Sequence, residues 1–435
     1  MIKPTLILWL FATLVFFATE VLAAKRTDKI SFYSSVDVGI GNVDEDLFFL
    51  LYLEQGFAYK GLDLQLSGPL RFRISDKLPR DSGNLRSQDW DEASDFARIL
   101  QSATFDRSWS DGYIELKFGE LNGVGLGHGC VVDAYFNSTD MDHYQGGLVS
   151  DVNFMGNGIE LMLENVVEPE IFVGRAYITP LAWFFDSDWS SRLEFGYTLG
   201  VDSTAPRRVI AKDETQIWIT GGDVSLRLVD TSIVTITPYV DLLVMDGDPG
   251  FHGGLASTWF LSDSRDILFH LRGEYRALGA DYHPALLNPF YEYNRYFFGY
   301  DPVAARQTTF ADHLSLEEYP VTHGFMVDAT VDWRERVRFG ARYDYQGYHR
   351  PHWVMIRLDV APVDRFSFGA FYAGQDIKGG SDLFSSNALI GASISFEITG
   401  PLRSFIEFSR RWRRIQNNMD FKNESGIGAG LLFVY

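Results

Sequence analysis

The chain has 435 residues, 46 % of them hydrophobic and 15 % aromatic, and a formal net charge of −20. So acidic a surface is a poor match for nucleic acid, whose phosphates are held by excess lysine and arginine. A single cysteine, Cys130, excludes an intramolecular disulfide framework, and the length exceeds that of an ordinary single soluble domain.

The chain opens on Met1-Ile2-Lys3, a small positive segment, followed by an apolar stretch from Leu6 to Phe17 and then by Val21-Leu22-Ala23. The apolar stretch is too short for a membrane-spanning helix, which needs ~20 residues. A positive start, a short apolar core and a small-residue end are the features of a secretory signal peptide. Residues 1–23 are therefore expected to be removed, leaving an exported chain, 24–435, that begins at Ala24. No cysteine stands at the cleavage site to carry a lipid, and no later apolar run approaches ~20 residues.

From residue 31 onward the chain is a succession of alternating segments. Candidate strands lie at 31–40, 46–58, 61–73, 96–106, 112–121, 147–155, 158–165, 170–181, 191–203 and 214–229. The second half gives 231–245, 250–262, 265–279, 322–334, 336–348, 352–362, 365–376, 387–399, 401–414 and 424–435. Connections after even-numbered strands are mostly tight, as in Met155-Gly-Asn-Gly158, Asp230-Thr-Ser232, Arg334-Glu-Arg336 and Thr399-Gly-Pro401. Connections after odd-numbered strands hold the long excursions, 74–95, 122–146, 280–321, 377–386 and 415–423. A soluble sandwich has no reason to sort its loops by parity. A transmembrane barrel does, with short turns on one rim and long loops on the other.

Alternation also assigns faces. Val327, Ala329, Val331 and Trp333 alternate with Asp328, Asp332 and Arg334, while Val337, Phe339, Ala341 and Tyr343 alternate with Arg338, Arg342 and Asp344. His270, Arg272, Glu274 and Arg276 share one face, as do Glu407 and Arg411, and Arg357 and Asp359 join the same inward set. An Arg or Lys facing lipid at mid-bilayer costs ~2–4 kcal/mol, so these faces should turn inward and line a pore. Opposed charge rows in a watery lumen create a transverse field that sorts solutes. The alternative is that they are cross-strand ion pairs holding a closed lumen together.

Three loop features invite chemistry. Gly123-Val-Gly-Leu-Gly-His-Gly129 has the conformational freedom of a segment that folds inward to narrow a pore, or of a plain extracellular loop. It is no nucleotide site, since no lysine comes after it and no strand–turn–helix context exists. Asp140, Asp142 and His143, with His128 upstream, lack the second acidic pair that water activation by an outer-rim hydrolase needs, and His128-Gly129-Cys130 lacks a serine. His349 and His352 are two ligands without a third. No catalytic residue, metal site or cofactor is assigned. The acidic runs Asp44-Glu45-Asp46, Asp89 to Glu92 and Glu317-Glu318 read as solvated surface, or as bridges through divalent cations to anionic lipid. Asp246-Gly-Asp248 reads as a tight turn.

The chain ends on Gly428-Ala-Gly-Leu-Leu-Phe-Val-Tyr435, alternating and terminally aromatic. Gly430, Phe433 and Tyr435 resemble the C-terminal assembly signal of bacterial outer-membrane β-barrels, and the charge rows resemble those of substrate-selective porins. The resemblance implies an all-β fold: a single antiparallel transmembrane β-barrel of roughly eighteen to twenty strands in the cell outer membrane of a Gram-negative bacterium. Its partners would be outer-membrane lipid, the barrel-assembly machinery and small solutes. The expected function is a passive, porin-like facilitator for small hydrophilic solutes rather than an enzyme. The alternatives are a structural or assembly barrel that docks partner proteins and, behind it, an outer-rim hydrolase.

Overall fold

The structure, a computed structural model, describes residues 30–434 apart from 44–45, 77–83, 139–143, 186, 188, 208–213, 262–265, 302–305, 317–320, 335, 348–350, 364, 378–379, 385–387 and 416–419. The signal-peptide region, Asp140, Asp142, His143, His349 and Tyr435 thus lie outside the described residues.

Among the described residues, twenty strands form one antiparallel barrel. In chain order they are β1 Ser31–Val43, β2 Asp46–Tyr59, β3 Leu62–Ser75, β4 Leu100–Trp109, β5 Gly112–Gly119, β6 Gly147–Phe154, β7 Asn157–Leu163, β8 Ile171–Ile178, β9 Leu193–Pro206 and β10 Glu214–Leu226. The rest are β11 Val234–Met245, β12 Asp248–Phe260, β13 Ile267–Leu278, β14 Thr322–Trp333, β15 Val337–Tyr345, β16 Trp353–Val363, β17 Phe366–Gln375, β18 Ala388–Thr399, β19 Leu402–Ile415 and β20 Asp420–Val434. Every strand pairs with its sequence neighbours, and β20 returns to β1 from Ser35↔Val434 to Asn42↔Ile427. That last ladder closes the sheet, so no edge strand is left. Gly430 and Phe433 sit in this seam, opposite Gly39 and Val36.

The outward face is apolar and the inward face is not. On β13, Tyr275 is 50 % exposed, whereas Glu274 and Arg276 on either side of it are 5 % and 0 % exposed. Leu242, Phe325, Val327, Phe339 and Ile406 are likewise exposed on the outside. A closed barrel satisfies its backbone internally, and an apolar outer band is what lipid accepts. The chain is therefore a membrane barrel of the outer-membrane kind.

Loop parity holds with one correction. Turns such as Lys60-Gly61 and Met155-Gly156 are tight, but the connection after β8 runs from Thr179 to Arg192. The alternation extends β8 to residue 181, whereas the strand stops at Ile178, because Pro180 cannot donate to a ladder. The chain turns there through a short 3-10 segment, Pro180–Trp183, and leaves Trp183, Phe184, Phe185 and Trp189 exposed. The acidic loops are corrected at Asp89, which is buried against the guanidinium groups of Arg71 at 2.5 Å and Arg86 at 2.6 Å rather than solvated. Asp246 and Gly247 form the tight turn expected, both with positive φ, between Met245 and Asp248.

Two long connections turn into the barrel, and they make the core. The loop from Glu120 to Gly146 and the loop from Gly279 to Val321 touch along their backbones: Asp133 N–H donates to the Leu287 carbonyl at 2.9 Å, and Leu287 N–H to that of Val131 at 3.0 Å. The second loop adds two helical segments, α1 Tyr291–Asn294 and α2 Phe310–Leu316. Leu121, Val131, Val132, Tyr135, Leu286, Leu287, Tyr291 and Phe310 then pack on Met162, Ile171, Val173, Ile217, Ile219, Leu243 and Met245 of the inner wall. Each such side chain, fully buried, contributes roughly 1.5–3 kcal/mol. One sector of the lumen wall is thus apolar, and the loops cover it.

Candidate functional site

The charged lumen is built in two parts, one that grips the loops and one that water reaches. The grip begins at Asp133. Arg342 of β15 donates from both terminal nitrogens to both Asp133 oxygens, and Arg272 of β13 donates to one of them. Arg272 also donates to the carbonyl of His128 at 2.6 Å. The Arg342 guanidinium lies 4.5 Å above the Trp353 ring, a cation–π contact that covers its remaining face. Burial by itself would raise an acid, yet the two guanidinium groups prevail and hold the Asp133 carboxyl below its ordinary range.

The glycine-rich segment makes this approach possible. A Cβ at Gly127 would lie 2.7 Å from Arg175 Cδ, and one at Gly129 would lie 2.3 Å from Asp133 Oδ2 and 2.5 Å from Arg272 Nη1. Both glycines have positive φ, +54° and +79°. No side chain fits at either place, so the loop reaches the wall only as glycine. Of the two readings of this segment, the inward fold is the one adopted.

Behind Asp133 the network continues through the wall. Arg276 donates to Asp344 at 2.8 Å and to Glu274 at 2.5 Å. Glu274 also accepts from the Tyr239 hydroxyl at 2.7 Å and contacts His252 Nδ1 at 2.9 Å, and His252 Nε2 meets the Tyr282 hydroxyl of the second loop at 2.6 Å. Burial, with Glu274 and Asp241 nearby, pushes the Cys130 thiol well up, so it stays protonated as a donor to Glu274 at 3.7 Å. Charges this deep are tolerable only when paired.

A third anchor holds α1. Arg295 donates to Glu170 at 2.5 Å and Asp202 at 2.8 Å, and the Tyr291 hydroxyl donates to Asp202 at 2.7 Å. The Tyr135 hydroxyl donates to Glu292 at 2.5 Å. Burial raises Glu292 to about 7 and Glu164 to about 8, in each case against contacts that favour the carboxylate.

The rest of the lumen holds open space. A space of about 850 Å³ runs along β2–β5 and β16–β19. Arg71, Arg98, Lys117, Arg357 and Arg411 border it together with Glu120, Asp359 and Glu407. It meets a second space of about 410 Å³ at Arg357 and Asp359, which pair at 2.5 Å. That space in turn meets a third, of about 480 Å³, at Arg338 and Asp332, which pair at 2.7 Å; His270, Arg272 and Asp328 border the third.

The sequence-derived lumen set therefore divides. Arg272 and Arg342 hold the first loop, with Glu274, Arg276 and Asp344 in the buried network behind them, whereas His270, Asp328, Asp332, Arg338, Arg357, Asp359, Glu407 and Arg411 border the open spaces. Arg334 is a departure from the inward set: it stands in the β14–β15 turn with φ +54° and pairs with Asp266 at 3.0 Å, both largely exposed. Arg71, Arg98, Lys117 and Glu120 were not singled out from sequence. Arg71 shares its parity on β3 with Gln65 and Ser67, and Lys117 shares its parity on β5 with Glu115, so the alternation rule could have found both.

No protein family and no curated protein matches the sequence. Among solved structures the chain is similar to OccK8 (OprE) of Pseudomonas aeruginosa, with 11 % identity, TM-score 0.35 and coverage of 95 % of this chain and 99 % of that one. It is similar to OccAB3 of Acinetobacter baumannii, with 11 % identity, TM-score 0.35 and coverage of 94 % and 100 %. A mutant Rh. blastica porin gives 11 % identity, TM-score 0.28 and coverage of 94 % and 100 %. Scores this low add nothing to the strand-by-strand evidence for the barrel.

Proposed function

We propose that this chain is a passive outer-membrane channel for small hydrophilic solutes, with its path through the space that β2–β5 and β16–β19 border together with Asn122, Phe136, Ser138 and Tyr144 of the first loop. The supporting observation is the pair of spaces beside β2–β5 and β16–β19 that share Arg357 and Asp359 in their walls and are bordered by both signs of charge. In a confined aqueous path with low-dielectric walls, exposed ions such as Arg338, Arg357 and Asp359 act on a passing solute more strongly than they would in bulk water. Buried ions held by carboxylates within the wall, such as Arg276, act on it little. Selectivity then comes from the water-facing subset.

The sealed-scaffold reading draws on one observation, the apolar core that the loops build inside the barrel. Single-channel recording of the purified mature protein in a planar bilayer separates the two. Discrete conductance steps with a salt-dependent reversal potential support the channel. A correctly folded, inserted protein that gives no steps supports the scaffold.

A further inference from the structure

The glycine segment delivers His128 to a patch of wall that carries more acid than base. Arg175 of β8 donates to both oxygens of Asp223 on β10, at 3.0 and 2.7 Å, to Glu194 at 2.6 Å and to Glu160 at 3.3 Å. Asp241 of β11 stands directly opposite Asp223 in the sheet register. Like charges directly opposite on adjacent strands destabilise a sheet, and here the Arg175 guanidinium already serves three carboxylates, Asp223, Glu194 and Glu160. His128 Nδ1 lies 3.2 Å from Asp241 Oδ1 and 3.9 Å from Asp223 Oδ1, with its ring stacked 4.3 Å from that of Tyr239. Asp241 is 5 % exposed, and its Oδ2 has no hydrogen-bond partner among the described residues. A buried carboxylate oxygen left so is costly.

We propose that His128, Asp223 and Asp241 bind a divalent transition-metal ion of zinc-like preference between the glycine loop and the barrel wall. One ligand atom from each lies within 4.8 Å of the others. An imidazole nitrogen with two carboxylate oxygens is a donor set suited to zinc. Ligands ~2.1 Å from a tetrahedral ion stand roughly 3.4 Å apart, and the His128 separations of 3.2 and 3.9 Å bracket that spacing. The hold of Arg175 leaves the Asp223 oxygens further lone pairs, since each carboxylate oxygen has two. Water from the lumen completes the coordination on the side where His128 is partly exposed. The ion also pins the loop to β10 and β11, whereas Asp133 is held by β13 and β15.

A second cluster, Cys130, His252 and Glu274, has similar spacing. Its Glu274 and His252 already contact Arg276, Tyr239 and Tyr282 and need no ion.

The test is calorimetric titration of tag-free, chelator-stripped protein in detergent with Zn²⁺ near neutral pH. The wild type should bind one equivalent saturably. His128→Gln and Asp241→Asn should each weaken binding by more than about tenfold, while Glu407→Gln binds like the wild type. Folding of each variant is read from heat-modifiable migration. Saturable binding that His128→Gln leaves unchanged, or no binding to the wild type, overturns the site. A preference for Ca²⁺ over Zn²⁺ overturns the metal class. If neither variant folds, X-ray absorption of the zinc-loaded wild type decides: one imidazole with oxygen ligands supports the site, and two imidazoles or a thiolate place the ion elsewhere.

Discussion

Arg342 on the barrel wall and Asp133 in the glycine-rich loop are joined through both guanidinium ends and both carboxylate oxygens. The pair is local in space but spans much of the chain, and it turns a wall strand into a clasp for a loop. Removing Asp133 takes the bidentate partner from buried Arg342, which is left with Asp344 at 3.5 Å and Asp328 at 3.9 Å, a loss of about 3 kcal/mol. Asp133→Ala should therefore free the loop while the barrel stays folded. Limited proteolysis should cut between residues 120 and 146 in the variant and spare the wild type. If the channel conducts, the variant should also show larger conductance steps. Unchanged protection would mean that the apolar packing alone seats the loop.

Selectivity should track the exposed arginines. The Arg338 side chain is 56 % exposed and that of Arg357 is 51 % exposed, whereas Arg342 is buried in its clasp. Neutralising Arg338 and Arg357 to Gln should shift the reversal potential across a salt gradient toward cation preference. The shift should shrink as ionic strength rises, because the Debye length is ~10 Å at 0.1 M and shorter above it. An identical reversal potential in wild type and double variant at low salt would assign these residues to structural pairing with Asp332 and Asp359.

Gly129 offers a steric test independent of charge. Gly129→Val brings a branched side chain to a position where even Cβ would stand 2.3 Å from Asp133 Oδ2. The loop should leave its seat, with the same protease sensitivity as Asp133→Ala and little change in barrel stability. A variant that keeps wild-type protection would show that the wall yields at this point.

The seat of the second loop should loosen as pH rises. Burial pushes Glu292, which lies in that loop, up to about 7 from its ordinary 4.5. The seated loop thus holds a proton that the released loop gives up. The stability this contributes is full below about pH 4.5 and is lost as pH climbs through about 7. Exchange protection in residues 286–298, taken relative to the intrinsic amide rate at each pH, should be greater at about pH 5 than at about pH 8, and Glu292→Gln should flatten the difference. Greater protection at the alkaline end would reverse the assignment.

Export and assembly should depend on the two ends of the chain. Terminal sequencing of the membrane-extracted protein should begin at Ala24, and a start at Met1 would contradict processing. Changing Phe433 and Tyr435 to Ser should reduce insertion without blocking export. Normal heat-modifiable barrel in that variant would show that the terminal pattern is incidental.

All twenty strands were legible in the sequence, because lipid on one face and water or loop on the other impose a two-residue period that each segment carries by itself. Loop length gave the rims for the same local reason, and Pro180 marks where the pattern was read too far. The inward direction of Arg272, Arg276 and Arg342 was legible as well. Their task was not, since alternation reports which face a side chain takes and nothing about what meets it there. Ile217, Ile219, Leu243 and Met245 face inward against the expected rule. They do so because Val131, Leu287 and Phe310, remote in sequence, fold back to cover them. Whether a lumen charge is solvated or clasped depends on those long-range contacts between loop and wall. Only the tertiary structure decided it.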